Sequence, residues 1–327
     1  MGLKPSPFGT QLPFEEKNYK VVGTNPSKRP DATDKVTGKA RYAADMSLPG
    51  QLIGKVLRSP HAHAQILSID VSKAEALAGV KAVVTREDFT DMPILHAAAG
   101  EIMINFRDVT RTMMAREKVL FDGHPLAAVA ATSESIAKKA LKLIKVEYKI
   151  LPHVIDVVEA MRPDAPILHD DQFTKGIEPT PTKPSNIAMR LKSEIGDIEA
   201  GFDQADLVIE REFNTKAVHQ GYIEPHATLA NYTSGGNAEV WTSTQGHFVI
   251  RAQLATVLKM DVSKIKVTPT ELGGGFGGKN TIYLEPLAVM LSKKSGRPVK
   301  MKMTREEVFR ASGPVSYTHL TLPTILL

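Results

Sequence analysis

The chain has 327 residues, 42% of them hydrophobic and 24% charged, an ordinary globular balance with length enough for two domains or part of something larger. Its formal net charge of +5 is spread without a Lys/Arg block, which argues against a nucleic-acid partner. Cysteine is absent, which excludes disulfides, Cys-ligated zinc and any iron–sulfur cluster held by this chain alone.

Residues 1–35 are polar and proline-containing, and are expected to be extended. They hold no apolar signal-type run, and no stretch of about 18 apolar residues follows anywhere, so neither a signal peptide nor a membrane span is expected and the cytoplasm is the expected location. Gln51–Arg58 and Gln65–Val71 alternate apolar with polar residues, as half-buried strands do. Between them Pro60-His-Ala-His63 reads as a turn with two exposed histidines. Ser72-Lys-Ala-Glu75 reads as a capping box opening a short helix that Gly79 ends, and Val80–Thr85 returns as a strand. A second strand–helix–strand unit follows in Leu126–Thr132, Ser133–Leu143 and Ile144–Leu151. Two such units predict an α+β first domain over 36–152 that folds as a separate unit.

Residues 153–187 read as a linker, with Pro163, Pro166, Pro179, Pro181 and Pro184 keeping Met161–Asn186 on the surface. A second domain is expected over 188–314. Its predicted strands are Leu207–Phe213, Ala227–Tyr232, Ala238–Thr242, Ile265–Thr268 and Val299–Thr304. Phe248–Leu258 carries Ile250, Leu254, Val257 and Leu258 on one helical face, and a further helix is expected near Glu285–Lys294. The closing Val315–Leu327 resembles a translated transposon-end sequencing adapter, so it is set aside as a non-native tail and the reading frame is expected to continue beyond Pro314.

The densest chemical signal is Gly273-Gly-Gly-Phe-Gly-Gly-Lys279, where a nearly side-chain-free backbone can approach a ligand and aim several N–H groups at it. The run also satisfies a dinucleotide fingerprint and nearly a P-loop, with Asn280 where Ser or Thr would bind magnesium. Those readings need a helix that begins inside the glycines, whereas Pro286 marks the first turn of the next helix some residues later. His219, Glu224 and His226 could form a His/Glu/His zinc site, though a network of satisfied polar groups is the better expectation. Thr242-Ser-Thr-Gln245 ends a strand before a helix, where the amide could meet a ligand or act as a simple cap.

Taken together, these segments resemble one family. RPDATDKVTGKARYAAD (Arg29–Asp45) and LRSPHAHAQILSI (Leu57–Ile69) are similar to the α/β-hammerhead domain of molybdenum hydroxylases of the xanthine dehydrogenase/aldehyde oxidase family. HQGYIEPHATLA, STQG, LGGGFGGK and MTREEVFRASGP, in that order, are similar to the first half of its molybdopterin-binding domain. The resemblance covers Arg29–Pro314 and implies an α+β fold, a hammerhead domain followed by the first part of a truncated molybdopterin-binding domain.

The resemblance also implies roles. Gln245 would bond the molybdenum oxo group, the backbone of Gly274, Gly275, Phe276 and Gly277 would lie against the cofactor, and no protein side chain would ligate the metal. Asn280 stands where purine-oxidising members carry a substrate-binding glutamate, which argues against xanthine. The catalytic glutamate base would lie in the missing C-terminal part, leaving the fragment inactive. The implied cofactor is molybdenum–molybdopterin in its cytosine dinucleotide form. The implied partners are iron–sulfur (2Fe–2S) and FAD subunits, and the implied substrate is a small aldehyde or N-heteroaromatic compound oxidised with water-derived oxygen. The alternatives are a nucleotide-binding protein using Gly273–Lys279, or a non-catalytic interaction module.

Overall fold

A computed structural model describes residues 29–99 and 102–313. The expected tail over 315–327 and most of the N-terminal segment lie outside these residues. From the start, α1 (Ala32–Val36) is followed by β1 (Leu52–Arg58), β2 (Ala64–Asp70), α2 (Ser72–Glu75) and β3 (Val80–Thr85). The antiparallel pair β4 (His96–Ala99) and β5 (Ile102–Asn105) leads to α3 (Phe106–Met113), β6 (Lys118–Val119), β7 (Pro125–Ala131), α4 (Glu134–Leu143) and β8 (Lys145–Ile150). The short helices α5 (Val157–Ala160) and α6 (Ile198–Asp203) flank the proline-rich stretch. Then come β9 (Ala227–Tyr232), β10 (Ala238–Thr242), α7 (His247–Leu258), β11 (Ile265–Pro269), α8 (Glu285–Ser295), β12 (Val299–Lys302) and α9 (Arg305–Ala311).

One sheet organises both halves of the chain, in the order β11-β10-β9-β12-β1-β7-β3. Strand β7 lies one strand in from an edge of this sheet, between β1 and β3. Every residue of Pro125–Ala131 is buried, so the strand must be covered on both faces. Because side chains alternate, Ala128 and Ala130 enter the large core with Leu287 and Leu291 of α8, whereas Ala127 and Val129 pack with Ala74 of α2 and Ala140 of α4. A smaller sheet, β6-β2-β8, lies beside it.

Several expectations need correction. The first expected domain shares a sheet with the second. Strand β1 pairs antiparallel with β7 on one edge and parallel with β12 on the other, Leu52 opposite Val299. With β7 on one side only, β1 would expose a row of N–H and C=O groups, and β12 supplies the missing partners. Nor do the two strand–helix–strand units stay whole. Strands β3 and β7 enter the large sheet, while the half-exposed β2 and β8 pair with each other in the small one. Residues 32–36 are helical rather than extended, tied by Lys35 to Asp31 at 2.5 Å and closed by Gly38 at φ +73. Helix α2 forms and Gly79 adopts φ +93, but Ser72 builds no capping box; its N–H instead bonds the Asp70 carboxylate.

Leu207–Phe213 forms no strand. Leu207 is 75% and Phe213 62% exposed and the segment joins no sheet, and an unpaired strand cannot satisfy its backbone except with water. His63 is buried rather than exposed. Its Nδ1 bonds the Pro152 carbonyl at 2.7 Å, and the side chain lines a cavity of about 990 Å³ with Arg111, Arg116 and His169.

Candidate functional site

Strands β10 and β11 run parallel as neighbours, with Thr242 opposite Pro269. Their C-terminal ends therefore leave the sheet at one place. The first continues through buried Ser243 and Thr244 to Gln245, and the second continues to the glycine run. This adjacency, invisible in the sequence, brings the two motifs together. Gln245 Oε1 accepts from Gly277 N at 3.0 Å and from Lys279 N at 3.3 Å. In return the Lys279 carbonyl accepts from Gln245 N at 3.1 Å and Thr244 Oγ1 at 3.0 Å. A glutamine amide has one oxygen and one NH₂ group, so this bonding commits the oxygen to the loop and leaves the NH₂ donors at an exposed position.

The loop backbone is unusual where a ligand would meet it. Gly274 and Gly277 sit at φ +95 and +85, and Phe276 at φ +49 is one of two non-glycine residues with positive φ among the described residues. Phe276 is also 70% exposed, so apolar burial does not account for its conformation. At Gly275 a Cβ would lie 2.4 Å from Gln245 Oε1, so only glycine lets the amide approach. Among the described residues the N–H groups of Gly274, Gly275 and Phe276 meet no acceptor. Asn280 is exposed, and its backbone carbonyl accepts from Gln253 Nε2 at 3.3 Å.

Behind the loop stands a buried polar layer that the sequence reading only partly located. Lys279 Nζ bonds Glu224 Oε2 at 2.8 Å and lies 4.9 Å from the centre of the Tyr222 ring. The Tyr222 hydroxyl bonds His226 Nε2 at 2.7 Å and Ser312 Oγ at 2.9 Å, and Ser312 Oγ also meets His219 Nε2 at 3.0 Å. Burial, and then the nearby Lys279 charge, push the His226 imidazole down to about 3. Arg305 fixes this layer from α9, donating to the carbonyls of Tyr222 and Ile223. His219, Glu224 and His226 thus serve different partners, and among the described residues no group of three or more His, Asp or Glu is arranged for a metal ion. Tyr222, Arg305 and Ser312 escaped the sequence reading, and Lys279 figured there only as the end of the glycine run. The one available signal was the clustering of His, Tyr and Glu in residues 219–226.

Helix α8 begins at Glu285, beyond the glycines, and not inside them as phosphate binding in a dinucleotide or P-loop site requires. Gln245 and the glycine loop, in direct contact, likewise do not fit a module in which the two are unrelated.

Two family models match the chain. The molybdopterin cofactor-binding domain matches residues 179–322, and the aldehyde oxidase and xanthine dehydrogenase a/b hammerhead domain matches residues 37–152. A probable xanthine dehydrogenase subunit of Bacillus subtilis (strain 168) is 38% identical over 89% of this chain and 36% of its own length. The nicotinate dehydrogenase large molybdopterin subunit of Eubacterium barkeri is 33% identical over 89% of this chain and 63% of its own. The crystal structure of quinoline 2-oxidoreductase from Pseudomonas putida 86 superposes with a TM-score of 0.73 at 30% identity, covering 86% of this chain and 34% of that one. The chain thus spans about a third of the Bacillus relative and of the quinoline enzyme's chain.

Proposed function

The chain belongs to the xanthine dehydrogenase/aldehyde oxidase family, and we propose that it is the N-terminal part of the molybdopterin-binding subunit of a molybdenum hydroxylase. The observation that carries this reading is the contact of Gln245 with the glycine loop, in which the Gly274, Gly275 and Phe276 N–H groups meet no acceptor among the described residues. Such a cluster suits an oxo or other anionic ligand approaching from solvent. It also fits a bulky group, because a Cβ at Gly277 would meet nothing within 4 Å and Phe276 and Gly277 are exposed.

In this reading Gln245, Gly274, Gly275, Phe276 and Gly277 hold the molybdenum–molybdopterin cofactor, in its cytosine dinucleotide form, with no protein ligand to the metal. When bound, that group supplies the two-electron redox chemistry by which a small aldehyde or N-heteroaromatic substrate is oxidised with water-derived oxygen. The residues of this chain orient it and stabilise charge at its oxygen ligands through fixed donors that need no reorganisation. Exposed Asn280 contributes to the substrate side. The catalytic base, a glutamate, lies outside this chain, which by itself is inactive. Iron–sulfur (2Fe–2S) and FAD subunits carry electrons onward, and the assembly is cytoplasmic. No helix among the described residues is long and apolar enough to cross a membrane.

The test is expression of the reading frame extended past Pro314, together with its partner subunits and a maturation system. Molybdenum is measured by elemental analysis and turnover by dye reduction on aldehyde and N-heterocycle panels. Near-stoichiometric molybdenum and turnover in the extended protein, with neither in the 327-residue chain, are expected. An extended, folded protein that takes up no molybdenum overturns the reading.

A further inference from the structure

Both ends of the glycine loop meet at one atom. Glu224 Oε2 accepts from Gly273 N at 2.9 Å and from Lys279 Nζ at 2.8 Å, and Glu224 N donates back to the Gly273 carbonyl at 3.1 Å. The approach is close enough that a Cβ at Gly273 would lie 2.6 Å from Glu224 Cβ. The pair is dry: the Lys279 side chain is 0% and that of Glu224 9% exposed.

A buried ion pair is a poor device for stability alone, since desolvation of both charges offsets most of their attraction, and an apolar pair of similar size often does as well. Burial indeed pushes the Lys279 ammonium down, against the pull of Glu224. What an apolar pair cannot do is tie two separated points of backbone to one place. Lys279 is also the residue through which the loop grips Gln245, by its N–H to Oε1 and its carbonyl to Gln245 N. The carboxylate of Glu224 therefore stands one residue away from the amide proposed to face the cofactor.

The geometry points to Glu224 and Lys279 as positioning residues, a clamp that sets the spacing of Gly273 and Lys279 and so holds Gln245 and the N–H groups between them in register for an oxo or anionic ligand. This rests on the cofactor reading above for its purpose, but not for its mechanics.

Two double variants separate the clamp from a merely structural pair. E224L/K279M removes both anchors without leaving an unpaired buried charge. E224Q/K279M also removes the charges, yet keeps an amide oxygen that can accept from Gly273 N. Hydrogen–deuterium exchange on the 327-residue chain reads the segment 271–284 against β9 and β10 as internal references. Loop exchange is expected to rise about tenfold or more in E224L/K279M and distinctly less in E224Q/K279M, with the two strands unchanged. Equal loop exchange in the wild type and both variants, or acceleration spread evenly over the strands, overturns the clamp. Molybdenum content of the extended protein carrying the same variants tests its purpose. Loosened loops together with unchanged, stoichiometric molybdenum overturn the positioning role, whereas a wild type that itself holds no molybdenum refutes the cofactor reading and leaves the exchange result standing.

Discussion

Arg310 grips both carboxylate oxygens of Asp122, Nε to Oδ2 at 2.9 Å and Nη2 to Oδ1 at 2.6 Å, and so ties α9 to the turn before β7. The same guanidinium reaches Glu306 at 2.8 Å, and Arg58 bonds Glu307 at 3.1 Å alongside. Because α9 also carries Arg305, which fixes the carbonyls of Tyr222 and Ile223, this seam links the first half of the chain to the layer behind the glycine loop.

The seam leads to an unequal pair of mutations. Asp122→Ala removes an ion pair that is 32% and 49% exposed, so it should cost only about 0.5–1 kcal/mol. Gly123→Ala at the next position should cost about 2–3 kcal/mol, through strain and overpacking of backbone that cannot yield. There the backbone stands at φ +89, and a Cβ would lie 2.7 Å from Arg310 Cβ and 2.8 Å from its carbonyl oxygen. Urea unfolding of the two variants should rank them in that order; similar losses would mean that the turn is held by charge rather than by close packing.

Gly275→Ala should behave in the opposite way. The atoms its Cβ would meet, at 2.4 to 2.9 Å, all belong to the Gln245 side chain, which can swing away into solvent. The expected loss of stability is about 1 kcal/mol, the value of the surrendered hydrogen bonds. The Gln245 amide leaves Gly277 N and Lys279 N, and molybdenum uptake by the extended protein should fall sharply. A crystal structure of the variant with Gln245 in place would contradict this account.

Acid should destabilise the fold through two histidines buried in the neutral form. Burial pushes His226 down to about 3 and His124 down to about 4. His124 takes a hydrogen bond from Leu120 N on Nδ1 and meets the Arg111 carbonyl with Nε2 at 2.6 Å, which fixes a neutral tautomer. Both folded values lie below the unfolded one, so the unfolded chain binds more protons and stability falls as pH drops below about 6.5. Each histidine adds a slope of about 1.4 kcal/mol per pH unit until its folded value is reached. Urea midpoints followed between about pH 6 and 4.5 should show a shallower slope in H124Q and in H226Q than in the wild type. Identical slopes in all three proteins would count against this assignment.

Glu285 has the opposite sign. Its carboxyl is buried, and desolvation raises it above the usual carboxylate range despite bonds from Thr242 Oγ1 at 2.6 Å and Tyr283 N at 2.9 Å. The folded state then holds the proton more tightly than the unfolded chain, so this group favours folding at low pH and costs stability as pH rises through its folded value. A glutamine keeps an oxygen for Tyr283 N and can donate to Thr242 Oγ1, whose hydroxyl has the Ala227 carbonyl as an alternative acceptor at 3.2 Å. E285Q is therefore expected to stabilise by about 1 kcal/mol near pH 8, with the gain shrinking toward pH 5. A destabilised E285Q at both pH values would show that the ionised carboxylate is favourably paired after all.

Local structure was legible along the chain. Alternation placed β1 and β2, Pro286 marked the start of α8, and Gly79 ended the turn after α2, because each depends on residues within one or two turns of chain. The motifs Thr242–Gln245 and Gly273–Lys279 were legible for the same reason: their composition departs from what packing alone requires. Tertiary structure decided the rest. Nothing in Leu52–Arg58 announces that its second edge pairs with Val299–Lys302, and nothing in Leu207–Phe213 says that it stays unpaired, since strand pairing depends on which backbone edges meet once distant elements have packed. The Glu224–Lys279 pair, 55 positions apart, was likewise unreadable, because a buried charge finds its partner across the fold and not along the chain.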